Sequence, residues 1–328
     1  MLPIFRSTRR QGKLGHDRGR WLGVQVWQGE FVPVWDCFTF FNELDILDLR
    51  LSELDGVVDK FVVAEANRTF SNEPKPLIFL ENRDRFARYL HKIVHVVVDD
   101  LPNDGDAWDR EAFQRNALVR GLEEAMPDDV IMISDVDEIP FPEHVATLTP
   151  ENVAGHIWFI ECDYYTYKLN LAIENKWIGL CAVRALQRQH LPALQDLRGI
   201  RARQSRRLSM PLSRPVNVLK NVLRFGRPLT HRLIEHGGWH FTFVNTPEKI
   251  QYKLRSYAHQ ERNTPEFNNL HNIQRMIDEG RSICGRSLRL APIGEMPKTV
   301  RDNATLWQSF LQQERQQPAQ PLPSRMAL

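Results

Sequence analysis

The segment Ile131-Met132-Ile133-Ser134-Asp135-Val136-Asp137-Glu138-Ile139-Pro140 places three carboxylates within four positions, directly behind an apolar run. Carboxylates this close repel one another and raise one another's pKa, so such a cluster calls for a neutralising cation. Hard divalent ions such as Mg²⁺ and Mn²⁺ take oxygen ligands and commonly share their coordination with substrate phosphates. The chemistry best served is departure of a nucleoside diphosphate, on which charge grows as the bond to it breaks. The plainer reading is a solvated acidic turn capping a helix after Pro142. The apolar strand upstream favours the first reading, because it carries the acids to the end of a buried sheet.

Other groups could join them. Glu65-Ala66-Asn67-Arg68-Thr69-Phe70 offers an acid, an amide and a base that could hold a ribose, a nucleobase or a sugar. A hydrogen-bonded loop with an internal ion pair would use the same residues. His240 lies in the aromatic segment Gly238-Trp239-His240-Phe241, where a satisfied core histidine is commoner than a ligand. His259-Gln260-Glu261 joins an imidazole, an amide and an acid at a helix end and reads equally as a cap. The sequence has no glycine-rich phosphate loop and no GxSxG elbow.

The elements that must position these groups are legible from periodicity. Val34 to Phe40 reads as a strand. Leu44, Leu47, Leu51 and Leu54 make one helical stripe, with Asn42 as its expected cap. Strands are expected at Val57–Glu65, Val94–Val98 and Val130–Ile133, and a helix at Leu80–Leu90. A further helix, capped by Asp106, turns Phe113, Ala117, Leu118, Leu122 and Ala125 inward. Strands alternating with helices indicate an α/β unit with a mostly parallel sheet, whose ligands bind beyond the carboxyl ends of its strands. Those ends are residues 39–43, 65–70, 99–100 and 134–138. Strand order also weighs against a haloacid-dehalogenase-type phosphatase with Asp135 as nucleophile and Asp137 as general acid. That fold opens on its Asp-x-Asp strand and draws further acids from downstream. Here three strands come first, and the acidic pairs Asp99-Asp100 and Asp128-Asp129 lie upstream.

The second half is more mixed. His156 to Leu169 is aromatic and extended, and Trp177 to Arg184 reads as another strand. Residues 197–234 hold ten basic residues, no acidic one and three prolines, which suggests an excursion from the core. Its arginines could meet anionic lipid headgroups or nucleic acid, or simply water. Thr246-Pro247-Glu248 and Thr264-Pro265-Glu266 each read as a helix start.

At 328 residues, with 42% hydrophobic and 26% charged residues, the chain has ample length for a real core. A net charge of +2 names no partner. Cys37, Cys162, Cys181 and Cys284 form no CxxC pair and read as buried thiols of a reducing compartment. No run reaches the roughly 20 apolar residues of a membrane span, and the start lacks a signal-peptide core, so a cytoplasmic location is expected. The expected organisation is a basic arm over 1–33, a domain over 34–312 and a disordered tail over 313–328. The domain divides into a ligand-binding half, 34–145, and an acceptor half, 146–312, that contains the excursion 197–234.

Several stretches together resemble glycosyltransferase family 17. They are Asp36-Cys37-Phe38 with Asn42-Glu43-Leu44-Asp45, Val58-Asp59-Lys60-Phe61-Val62-Val63 leading to Glu65, and Asn67-Arg68-Thr69-Phe70-Ser71. Lys75-Pro76-Leu77, Val96 to Pro102, Ala107-Trp108 with Gln114-Arg115, and Ile133 to Pro140 follow. Gly238-Trp239-His240-Phe241, His259-Gln260-Glu261 and Asn263-Thr264-Pro265-Glu266-Phe267 complete the set. The resemblance is dense over 35–145, looser over 236–305 and poor over 185–235. It implies a GT-A-type, Rossmann-like sheet flanked by helices, a UDP-sugar donor (N-acetylglucosamine), Mn²⁺ or Mg²⁺, and inversion at the anomeric carbon. By the same resemblance, Asp135 faces the donor's ribose or sugar, Asp137 ligates the metal and His240 completes the metal site.

The expected donor contacts are Asn42, Glu43, Glu65, Arg68, Arg115 and Asp135; the expected metal ligands are Asp135, Asp137 and His240. Single displacement needs a carboxylate base beside the acceptor hydroxyl, for which Glu261 and Glu161 are candidates. Trp108, Arg115 and Trp177 suit sugar rings and phosphates. The expected acceptor is a glycan or a lipid-linked saccharide, with peripheral membrane contact through 198–232 and no nucleic acid. A catalytically silent glycan- or anionic-surface-binding protein working through that stretch is the remaining alternative.

Overall fold

The computed structural model describes residues 33–174, 182–200 and 214–313. The expected arm apart from Pro33, Trp177, Cys181, residues 201–213 of the basic excursion and the tail from 314 lie outside the described residues.

The first half alternates strands and helices: β1 (Val34–Phe40), α1 (Leu44–Leu54), β2 (Lys60–Ala66), α2 (Ile78–Glu81), β3 (Ile93–Val98), α3 (Ala107–Ala117) and β4 (Val130–Asp135). The segment expected to be one helix over 80–90 is α2 followed by a 3-10 stretch, Arg83–Tyr89, with a kink at Phe86. β1, β2, β3 and β4 are all mutually parallel, in the order β3-β2-β1-β4. Alternate residues serve opposite faces, as the two-residue period of a strand requires. Val130 and Met132 join the core around Phe38 and Val63, while Ile131 and Ile133 join the other, around Cys37 and Val62. A sheet buried on both faces explains why β4 reads as an unbroken apolar run.

Two cap expectations differ in outcome. Asp106 caps α3 through a reciprocal capping box with Asp109. Asn42 does not cap α1: Glu43 occupies the cap position, and its carboxylate turns back to accept from the backbone N–H groups of Phe41 and Asn42.

The second half contains β5 (Glu138–Pro140), α4 (Pro142–Val145), α5 (Pro150–Val153), β6 (His156–Thr166), β7 (Leu171–Ile173), β8 (Ala182–Gln187), α6 (Leu194–Arg198), α7 (Arg214–Phe225), β9 (Thr230–Thr242), α8 (Pro247–Ser256), α9 (Leu270–Asp278), β10 (Leu288–Leu290) and α10 (Lys298–Asp302). The sheet continues through β4-β8-β6-β7-β10, and β9 joins β5 and β6. The α/β class expected from the sequence is borne out. Its parallel character holds over the first four strands and returns between β6 and β9, whereas β5, β7, β8 and β10 pair antiparallel.

The basic excursion contains regular structure, since α7 and the first residues of β9 belong to it. The helix expected from Thr264 is a turn: Thr264 accepts from the N–H groups of Phe267 and Asn268, and α9 starts only after Asn269, whose side chain accepts from Asn272. Cys37 and Cys162 are buried as expected, but Cys284 is exposed.

Candidate active site

The acidic turn hangs from a buried arginine. Arg50 of α1 is fully buried and forms a two-point ion pair with Asp36 on β1, at 2.6 and 2.8 Å. Its remaining donors reach Ser134 Oγ and the carbonyls of Asp135, Val136 and Glu138. One guanidinium therefore satisfies the backbone of the turn just past β4, where ladder bonding stops and carbonyls would otherwise be orphaned.

Asp135 and Glu138 form one cluster. Arg115, in the last turn of α3, donates to Asp135 Oδ1 at 3.1 Å, and Arg198 of α6 donates to Asp135 Oδ2 at 2.8 Å. Arg198 also donates to Glu138 Oε1 at 2.6 Å, and the other Glu138 oxygen accepts the backbone N–H of Asp135. Glu138, fully buried, thus latches the turn. Burial raises the Asp135 carboxyl, but Arg198 and Arg115 outweigh it and hold the group well below the ordinary range. Each Asp135 oxygen is thus paired with one guanidinium.

Asp137 belongs to a second cluster. Its Oδ1 lies 3.5 Å from His240 Nε2, and its Oδ2 lies 3.2 Å from Lys253 Nζ of α8. Lys253 also pairs with Glu43 at 2.8 Å, and the two carboxylates raise its pKa against the opposing effect of burial. Asp137 is in turn held low: burial pushes it up, and Lys253 and His240 more than offset that. His240 reaches this position because β5 pairs with β9, with Glu138 opposite His240 and Pro140 opposite Gly238. The pairing needs a glycine at 238, where a Cβ would come within 2.5 Å of the Ile139 carbonyl. Tyr164 of β6 packs on His240 with ring centres 4.6 Å apart.

The other expected contacts are distributed unevenly. Asn42 and Glu43 line a small cavity together with Lys253. Glu65 is fully buried; it accepts from the N–H of Phe79 at 2.8 Å and pairs with Lys75 and His95. Arg68 ties the loop after β2 to the loop after β3, donating to Asn72, Asn103 and the Leu101 carbonyl. Glu161 is buried on β6 opposite Ala182, whose carbonyl accepts from Arg198. Continuing the registers of β4, β8 and β6 puts Asp135, Ala182 and Glu161 in one row at the carboxyl end of β4, about 10 Å from first to last. Glu261 is exposed and bonded to His259, which packs edge-on against Trp108. Trp108 lies seven residues, about 10 Å, along α3 from Arg115.

Arg50, Arg198 and Lys253 were not among the expected site residues. Arg50 and Lys253 carried a signal, since each falls on the apolar stripe of its helix, three residues after Leu47 and Ile250 respectively. A lone cation on such a stripe must find a buried acid. Arg198 is one of ten basic residues in its stretch and had nothing to single it out.

Among the described residues no group of three or more His, Cys, Asp and Glu side chains converges as a ready-made cation cage. A divalent ion needs only one or two protein groups when a diphosphate supplies the rest. Asp137 and His240 offer such a pair. Among the described residues, the carboxylates of Glu43, Glu111, Asp135, Asp137 and Glu138 share the cations Arg115, Arg198 and Lys253. The residues fit such an ion bound jointly with a substrate phosphate.

The chain is similar to the β-1,4-mannosyl-glycoprotein 4-β-N-acetylglucosaminyltransferases of Homo sapiens and Rattus norvegicus, 34% identical to each over 232 residues. The matches cover 66% of this chain and 41% of either relative, so the chain spans less than half the length of the curated proteins it matches. Among solved structures, S. aureus TarS 1-349 in complex with UDP-GlcNAc overlaps 73% of this chain and 72% of that one, with 12% identity and a TM-score of 0.35. The model of glycosyltransferase family 17 matches residues 22–190, just over half of the sequence, and the chain belongs to that family.

Proposed function

We propose that this chain transfers N-acetylglucosamine from a UDP-sugar to a hydroxyl of a glycan or lipid-linked saccharide, with metal assistance and inversion. The observation that carries the proposal is Asp137, held ionised between His240 and Lys253 at the end of a buried strand. Family membership and the names of the similar enzymes support the sugar.

The residues divide the work by position. Asp137 and His240 would hold Mn²⁺ or Mg²⁺, which draws charge off the departing diphosphate. Lys253 supplies a fixed positive charge beside the same phosphates, preorganised by Glu43. Asp135, kept ionised by Arg115 and Arg198, accepts hydrogen bonds from hydroxyls of the donor's ribose or sugar. Glu161, in the row of Asp135 and two strands away, is the general base. It takes the proton from the acceptor hydroxyl as that oxygen attacks the anomeric carbon and the bond to the phosphate oxygen breaks. Glu261, on the surface beside Trp108 and His259, serves an outer acceptor sugar. Tyr252, half exposed and stacked on Phe41, provides a second aromatic face for sugar.

Release of UDP from UDP-N-acetylglucosamine, with and without Mn²⁺, tests the assignment. Asp137→Ala should lower it by about a thousandfold or more. Full activity in that variant would sink the proposal, as would a wild-type rate indifferent to Mn²⁺ chelation.

A further inference from the structure

Helix α7 carries Leu219, Val222 and Leu223 at the i, i+3, i+4 spacing of one helical face, and these are 59%, 37% and 80% exposed. The opposite face is fixed to the domain. Asn221 is buried, donates to the Leu229 carbonyl and lies 3.0 Å from His231 Nε2, while Phe225 packs against the core. The apolar stripe is thus held outward by a well-bonded back. Lys220 is exposed beside it, and Arg224, Arg227 and Arg232 are exposed close by in sequence. The surrounding residues 197–234 hold ten basic side chains and no acidic one.

This combination narrows the partner. A nucleic-acid backbone rewards the cations but gives three apolar side chains nowhere to bury. An anionic bilayer rewards both, taking the apolar face below the headgroups and the cations at their level. We propose that α7 is a docking helix that seats this chain on an anionic lipid surface. The surface lies close to the site. Arg224 reaches Asp196 on α6 at 3.6 Å, and Arg198, two residues further along α6, holds Asp135 and Glu138. A chain docked through α7 presents its carboxylate cluster near the membrane, where a lipid-linked acceptor offers its hydroxyl. The docking rests on α7 alone and stands whether or not the sugar-transfer reading holds.

Vesicle sedimentation tests it. The full chain should pellet with vesicles of phosphatidylglycerol mixed with phosphatidylcholine and stay in solution with phosphatidylcholine alone. The double variant Leu219→Glu/Leu223→Glu should bind the anionic vesicles at least about tenfold more weakly, since burying each leucine is worth more than a factor of ten. Its UDP release should be unchanged, and its thermal midpoint too, because both positions are exposed. Leu223→Gln, which adds no charge, should weaken binding in the same direction by a smaller factor. The proposal is overturned if the wild type ignores anionic vesicles or if both leucine variants bind like wild type. It is equally overturned if the leucine variants convert a dimer to a monomer in sedimentation equilibrium, which would make a second copy of the chain the occupant of this face.

Discussion

Arg50 shows how much of a site can depend on a side chain that never meets substrate. Its guanidinium is buried against Phe38, paired with Asp36, and donates to three carbonyls of the turn that presents Asp135 and Asp137. Removing one partner of a buried pair leaves the other charge without compensation, which is costlier than never having built the pair. Arg50→Ala and Asp36→Ala should each lower the unfolding free energy by about 3–5 kcal/mol in urea titrations. Arg50→Ala should in addition reduce UDP release in the protein that remains folded, because the turn loses its anchor. The sequence shows why this was hard to see. Asp36 and Arg50 sit in a strand and a helix that periodicity predicts, but nothing local says that they meet. The pairing is a property of how α1 packs on the sheet.

At the level of elements, the site depends on β5 and β9 approaching closely. Gly238 lets the two backbones meet, and the register then delivers His240 to Asp137. Gly238→Ala would push a Cβ against the Ile139 carbonyl, the Cys162 sulfur and Pro140, which are backbone or packed atoms with little room to move. The expected cost is about 1–3 kcal/mol by thermal or chemical denaturation, and on the proposed function a weaker response of UDP release to Mn²⁺. The strand-helix alternation of residues 34–135 was readable because β2 and β4 are apolar on both faces and α3 announces itself with a capping box. The short strand β5 and the parallel pairing of β6 with β9 were not, because three residues carry no period and parallel partners need not be near in sequence. The missed cations follow the same logic. Arg198 and Lys253 come from helices about sixty and a hundred and sixteen residues beyond the acids they bind.

For the molecule as a whole, one partly buried histidine makes stability depend on pH. Burial lowers His231 from 6.5 to about 4, so the folded chain keeps the ring neutral where the unfolded chain would protonate it. The unfolded state therefore binds more protons between those values, and stability rises with pH across that window. The contribution is intact above pH 6.5 and is lost progressively toward pH 4, by up to about 3 kcal/mol. Thermal midpoints of the wild type should fall over that interval, and those of His231→Phe should fall less. The pairing of β6 with β9 has another consequence. His156 pairs with Thr230, so the parallel register closes over seventy-four residues, and it is β9 and the helix after it that bring His240 and Lys253 to Asp137. Local contacts in residues 34–135 form at lower entropic cost than this long closure. Arg50 and Arg115 belong to the same early segment as Asp135, whereas His240 and Lys253 should reach Asp137 only once β9 and α8 are in place, so that the Asp137 half of the site is completed after the Asp135 half is anchored.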